Sequence, residues 1–249
     1  MFQKASEVVE AMLALENPEQ RKVLMGFFKC GKGQYGEGDE FLGLKVPETR
    51  AIVKEARRLV LPEVQKLLDS KWHEVRLCGF LVLVYQFEQL AKKKTPEVIT
   101  ERDALVAFYL KNARKANNWD LVDLSCYKIL GHWLMLPSEK TQAEKLAIMD
   151  QLAHSTNLWE QRISMVSTMW PLKEDETFYT LRYATLHLHH QHDLMRKAVG
   201  WLLREMGKRC GMETLRDFLR EHHKEMARIS LSYAIERMGE EERRMWMRR

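Results

Sequence analysis

The chain has 249 residues, 45% of them hydrophobic, enough for a substantial core in one domain or one continuous array. Its 40 lysines and arginines against 35 acids leave a formal charge of +5 at pH 7, a modest lean toward a polyanionic partner. No apolar run approaches the ~18 residues of a membrane span, and four scattered cysteines without a CxxC pair argue against a disulfide framework or a thiolate zinc site.

The first segment, MFQKASEVVEAMLALE, is amphipathic and acidic rather than basic then apolar, which predicts an unprocessed cytoplasmic protein. Asn17 followed by Pro18 marks the start of a second helix, and Pro47, Pro62, Pro96, Asn118 and Ser138 mark later starts. The one long loop, Gly31 to Gly43, contains Gly31-x-Gly33-x-x-Gly36 and so formally matches a dinucleotide fingerprint. That fingerprint needs a preceding strand, whereas MGFFKC reads as helix, so a flexible loop approaching a backbone is the better reading. Apolar residues recur at three-and-four spacing almost throughout, as in Val8, Met12 and Leu15 or Leu105, Phe108 and Tyr109, and no segment reads as a strand. Lys92, Lys93 and Lys94 close a helix, where cations suit the dipole. In HLHHQHD only His187 and His190 share a helix face, so a polar helix end is expected there, with no metal.

Several helices open alike: WHEVRLCGF at Trp72, WDLVDLSCY at Trp119, WEQRISMV at Trp159, LMRKAVGWLL at Leu194 and EMARISLSY at Glu225. A polar marker within each gives the series Arg76, Asp123, Arg162, Lys197, Arg228, at intervals of 47, 39, 35 and 31 residues. These intervals lie near the helix-pair repeats of the HEAT kind. The predicted fold is therefore all-α, an α-solenoid of HEAT-like repeats over residues 1–249 in a single domain, with a curved, concave surface where basic markers track a phosphate backbone. Asp123 is the acidic exception.

Asp120 falls in the first turn of a helix capped by Asn118, where a carboxylate suits the dipole without further purpose. Asp123 lies a turn further in and four residues after Trp119, so ring and carboxylate share one face. Either it is a paired acid beside a packed tryptophan, or it faces a ligand. Lys197, Trp201, Arg204 and Lys208 follow 4, 3, 4 spacing, which suits a nucleic-acid backbone, or equally a solvated basic face around a packed Trp201. Arg162, three residues after Trp159, either contacts phosphate or folds its stem over the ring.

The segments NNWDLVD, NLWEQR and RKAVGWLLRE, supported by FLGLKVPETR, together resemble the AlkD-type DNA alkylation-repair glycosylases in order and spacing, from about Phe41 to Glu205. The resemblance implies a monomeric, cofactor-free enzyme that excises N3- and N7-alkylated purines from double-stranded DNA by glycosidic-bond hydrolysis. It matches Trp119 and Trp201 to an aromatic pair contacting the lesion's sugar, Asp123 to the catalytic carboxylate and Arg162 to a basic residue beside the backbone. Lys197 and Arg204 lie in the matching segment, and the lesion is expected to stay stacked. The glycine-rich insertion departs from the family pattern, so no DNA contact is assigned there. The alternative is a non-catalytic HEAT-like module that binds DNA or another acidic partner, and a more distant one is a protein-binding scaffold with an apolar concave patch.

Overall fold

A computed structural model of the protein describes residues 1–248. It is all-α: among the described residues there is no strand, only an isolated β-bridge between Glu40 and Trp72. No helix among them is long and apolar enough to cross a membrane. None of the four cysteines is in a disulfide, and burial pushes the Cys78 thiol up to about 12. The helices gather into two compact units, the first made of Met1–Ser125 and Pro137–Glu139, the second of Cys126–Leu136 and the residues from Lys140 on.

In the first unit, α1 (Ala5–Leu13), α3 (Val46–Ala56), α4 (Leu61–Leu68) and α6 (Pro96–Lys111) pack around α5 (His73–Leu90). The α5 helix is buried on every side from Val75 to Val84, as a helix apolar all round must be. Asn17 caps α2 (Pro18–Phe27), accepting from the Gln20 N–H, and prolines stand in the first turns of α2, α3, α4 and α6 as their positions predict. Gly43, at φ +95°, passes so close to the start of α2 that an added Cβ would lie 2.1 Å from the Asn17 carbonyl oxygen. The last helix to which this unit contributes, α7 (Trp119–Cys126), begins after Asn118, whose side chain accepts from the Trp119 N–H.

One helix start differs from expectation. Ser138 opens no helix; its hydroxyl donates to Asp103. The helix α9 (Gln142–Ala153) begins three residues later because Thr141 and Glu144 form a capping box, satisfying two backbone donors that Ser138 could not.

The second unit holds a π-helical turn at Tyr127–Gly131, α8 (His132–Met135), α9, α10 (Leu158–Ser167), α11 (Phe178–Leu186), α12 (Asp193–Arg209), α13 (Met212–His222), α14 (Arg228–Ala234) and α15 (Glu240–Met247). Its centre is α12, which packs on α10, α11, α13 and α14. The crossing with α14 is tight at Gly200, where a Cβ would lie 2.3 Å from the Ser230 carbonyl oxygen.

Candidate functional site

The first turn of α5 carries His73, Glu74 and Arg76 into the interior, directly ahead of its apolar run. Buried charge is costly unless paired, and each of the three is paired. The Glu74 carboxylate accepts from the N–H groups of Leu42, Gly43 and Leu44 at 2.9, 2.8 and 3.1 Å, which fixes the end of the glycine-rich loop against α5. His73 stands between two acids: Nδ1 is 2.8 Å from Asp39 Oδ2 and Nε2 is 2.9 Å from Asp120 Oδ2. Arg76 donates to Asp39 Oδ1, to the Asn117 side-chain oxygen at 2.9 Å and to the carbonyls of Ser70 and Lys71.

Burial alone would depress the His73 imidazole, but the charges and hydrogen bonds of Asp120 and Asp39 outweigh it and push it up to about 9. Burial likewise works against Asp39, yet His73 and Arg76 hold its carboxyl below the ordinary range. The network is thus a row of alternating bases and acids: Arg76, Asp39, His73, Asp120. Asp120 is therefore more than a first-turn acid. It is 4% exposed, and while Oδ2 bonds His73, Oδ1 has no hydrogen-bond partner among the described residues.

Above this network lies a cavity of about 430 Å³, bordered by Phe27, Phe28, Phe41, His73, Trp119, Asp120, Asp123 and Leu124. The rings form a stack in which Trp119 lies on Phe28 (centroids 5.2 Å), Phe28 on Phe41 (5.2 Å) and Phe41 on His73 (4.3 Å). Trp119 and Asp123, both half-buried, thus line the same cavity, as their shared helix face predicts. Asp39, His73, Phe28 and Phe41 are site residues that spacing arguments do not find. Three charges in the first turn of an otherwise apolar helix were the available signal for His73.

Arg76, which its repeat position places among DNA contacts, is instead 6% exposed with its guanidinium committed to Asp39, Asn117 and backbone carbonyls. Such burial leaves little of its charge for a phosphate. In the second unit Arg162 is likewise 5% exposed, donating to the Leu194 carbonyl at the start of α12, beside a buried Trp159. Lys197, Trp201, Arg204 and Lys208 occupy the face of α12 that is not buried, as the 4, 3, 4 spacing requires. Lys208 is exposed, and Arg204 pairs with Glu236 of the following helical hairpin. The histidine run ends in a cap: His192 Nδ1 accepts from the Leu194 N–H, and His190 bonds Gln161. Among the described residues no three His, Cys, Asp or Glu groups are gathered to hold a metal.

The chain is thus an all-α helical-repeat protein whose first unit holds an acid, a tryptophan and an aromatic cavity and whose second unit carries a cationic stripe on α12. Residues 8–238 match the family described as DNA alkylation repair enzyme, and the chain belongs to that family. Its role lies in the repair of alkylated DNA. The fold is similar to that of a solved structure, a predicted DNA alkylation repair enzyme from Enterococcus faecalis, with a TM-score of 0.65 and 16% identity, covering 90% of this chain and 97% of that one. No curated protein matches the sequence.

Proposed function

We propose that the protein is a DNA glycosylase that releases cationic N3- and N7-alkylpurines from double-stranded DNA by hydrolysing the glycosidic bond, acting as a monomer without cofactor, with residues 1–249 working as one HEAT-like repeat domain. The placement of Asp123 beside Trp119 at the cavity carries this reading, together with the family to which the chain belongs.

Alkylation at N3 or N7 makes the base a cation, so it leaves without a general acid and the sugar becomes oxocarbenium-like. The protein then has to supply negative charge and a placed water. Asp123 does both, stabilising the developing cation and orienting or deprotonating the nucleophile. The Trp119 face adds cation–π attraction on the order of 1 kcal/mol. Under the same reading Trp201 is a second sugar contact, and Lys197, Arg204 and Lys208 around it hold the phosphate backbone. Arg76 and Arg162 act from within, the first balancing Asp39 and the second holding α10 to the start of α12.

The test is release of 7-methylguanine or 3-methyladenine from methylated duplex DNA by wild type and Asp123→Asn. The substitution should slow single-turnover excision at least ~100-fold, a barrier change of about 2.7 kcal/mol, with DNA affinity little changed. Full activity in the variant removes Asp123 from the mechanism. No activity in wild type points to a binding module instead.

A further inference from the structure

Three residues from outside α7 grip four consecutive residues at its start. Arg76 donates to the Asn117 side-chain oxygen, the Phe28 carbonyl accepts from the Asn118 amide, the Phe28 ring lies on Trp119, and His73 bonds Asp120. A helix start asks for little more than a capping acceptor, and Asn118 already offers one to the Trp119 N–H. The remaining grips call for another purpose.

Two of them run through one ring. His73 is 1% exposed, bonded at Nδ1 to Asp39 and at Nε2 to Asp120, and Phe41 stacks on its face at 18° between the planes. Phe41 in turn carries Phe28, and Phe28 carries Trp119. An imidazole bonded at both nitrogens and covered on a face is locked in place. It acts as a strut between Asp39 in the glycine-rich loop and the first turn of α7, and a column of rings leads from its face to Trp119. Stability alone does not ask for this, since replacing a buried ion pair by well-packed apolar side chains is often neutral or stabilising. What a buried hydrogen-bonded network adds is a single arrangement of the parts it joins.

We propose that His73 is a positioning residue for the reaction, setting the first turn of α7 through Asp120 and the plane of Trp119 through the Phe41–Phe28 column. Asp123, three residues after Asp120 and four after Trp119 on the same helix face, is thereby held where charge develops on the sugar. The inference rests on the glycosylase reading above and deepens it. Buried as it is, His73 acts only through its neighbours. A displacement of about 1 Å in a catalytic group costs on the order of 100-fold in rate, so losing the strut slows the chemical step and spares DNA affinity.

His73→Gln and Asp120→Asn should each lower the single-turnover rate of 7-methylguanine release at least ~10-fold at unchanged DNA affinity. The double variant should fall no further than the slower single, because both cut the same link. His73 borders the cavity, so in His73→Ala added imidazole can reach the vacated place and should restore rate. Gln86→Ala is the control: it frees the Arg57 and Leu59 carbonyls further along α5, and should lower the melting temperature while excision holds. If His73→Gln does not fold, Phe41→Leu, which removes the stacked ring and leaves both imidazole bonds, should show the same split between rate and affinity. Amide hydrogen exchange of the free protein gives a readout apart from activity, and His73→Gln should speed it at least ~10-fold at Val122, whose N–H bonds the Asn118 carbonyl.

An undiminished rate in His73→Gln, losses that add in full in the double variant, no recovery with imidazole, or equal slowing by Gln86→Ala overturns the positioning role and leaves the glycosylase reading intact. If wild type excises nothing while Val122 exchange quickens in His73→Gln, the strut stands and the glycosylase reading falls. Unchanged exchange removes the strut whatever the activity.

Discussion

The imidazole of His73 joins Asp120 across 2.9 Å, tying the first turn of α5 to the first turn of α7 through two residues 47 apart in sequence. Because Asp120 and Asp123 share α7, whatever holds Asp120 also sets where Asp123 stands. The same imidazole has a second acid, Asp39, on its other nitrogen, so the protonated ring donates one N–H to a loop and the other to a helix.

This arrangement makes stability depend on pH in one direction. The ordinary histidine value of 6.5 is raised to about 9, so the stabilisation is complete below about 6.5 and is lost as pH rises through 9. The contribution at stake is on the order of 3 kcal/mol. Urea unfolding of wild type and His73→Gln should show the gap between them narrowing from pH 6.5 to 9.5. A gap that stays constant across that range means that His73 is neutral when folded.

His187 predicts the opposite limb. Burial, with His190 and His154 nearby, holds it down to about 4. A group that resists protonation when folded and accepts it when unfolded costs stability as pH falls from about 6.5 to 4. His187→Gln should therefore lose less stability than wild type over that interval, measured by thermal melts, and identical losses contradict the assignment.

Arg76 and Lys208 should separate under mutation. Removing Arg76 leaves Asp39 short of a buried partner, which costs about 3–5 kcal/mol, without changing how DNA affinity varies with salt. Lys208→Ala, on an exposed end of α12, should leave the melting curve nearly unchanged and lower the salt slope by about one. A salt slope that moves with Arg76 and not with Lys208 reverses the two roles.

Gly200→Val tests the α12–α14 crossing. A side chain there meets the Ser230 carbonyl oxygen and Tyr233 Cβ at 2.3 and 2.6 Å, so the helices must part. Overpacking of this kind costs about 1–3 kcal/mol or more, read as a lower midpoint in urea. An unchanged midpoint would mean that the crossing is compliant.

Much of the fold was legible because helix starts are local. Asn17 and the four prolines act through their own backbone, and the structure places helices where they stand. Ser138 misled because a stronger capping pair, Thr141 with Glu144, lies three residues on, and only geometry reveals which pair closes. The shared face of Trp119 and Asp123 was legible for the same local reason. The partners of Asp120 and Arg76 were not, since His73 and Asp39 reach them from distant segments and no periodicity encodes such pairings. Position in a repeat says which face a residue takes, not whether its charge is already spent.

The grip of Glu74 on the loop carries one more consequence. Three successive amides pointing to a common centre, at Leu42, Gly43 and Leu44, make the concave donor cluster that elsewhere captures phosphate. Here the protein's own carboxylate is the captive anion. Any phosphate approaching that turn meets a filled seat and a negative charge behind it, so Leu42–Leu44, the close of the glycine-rich segment, serve cohesion.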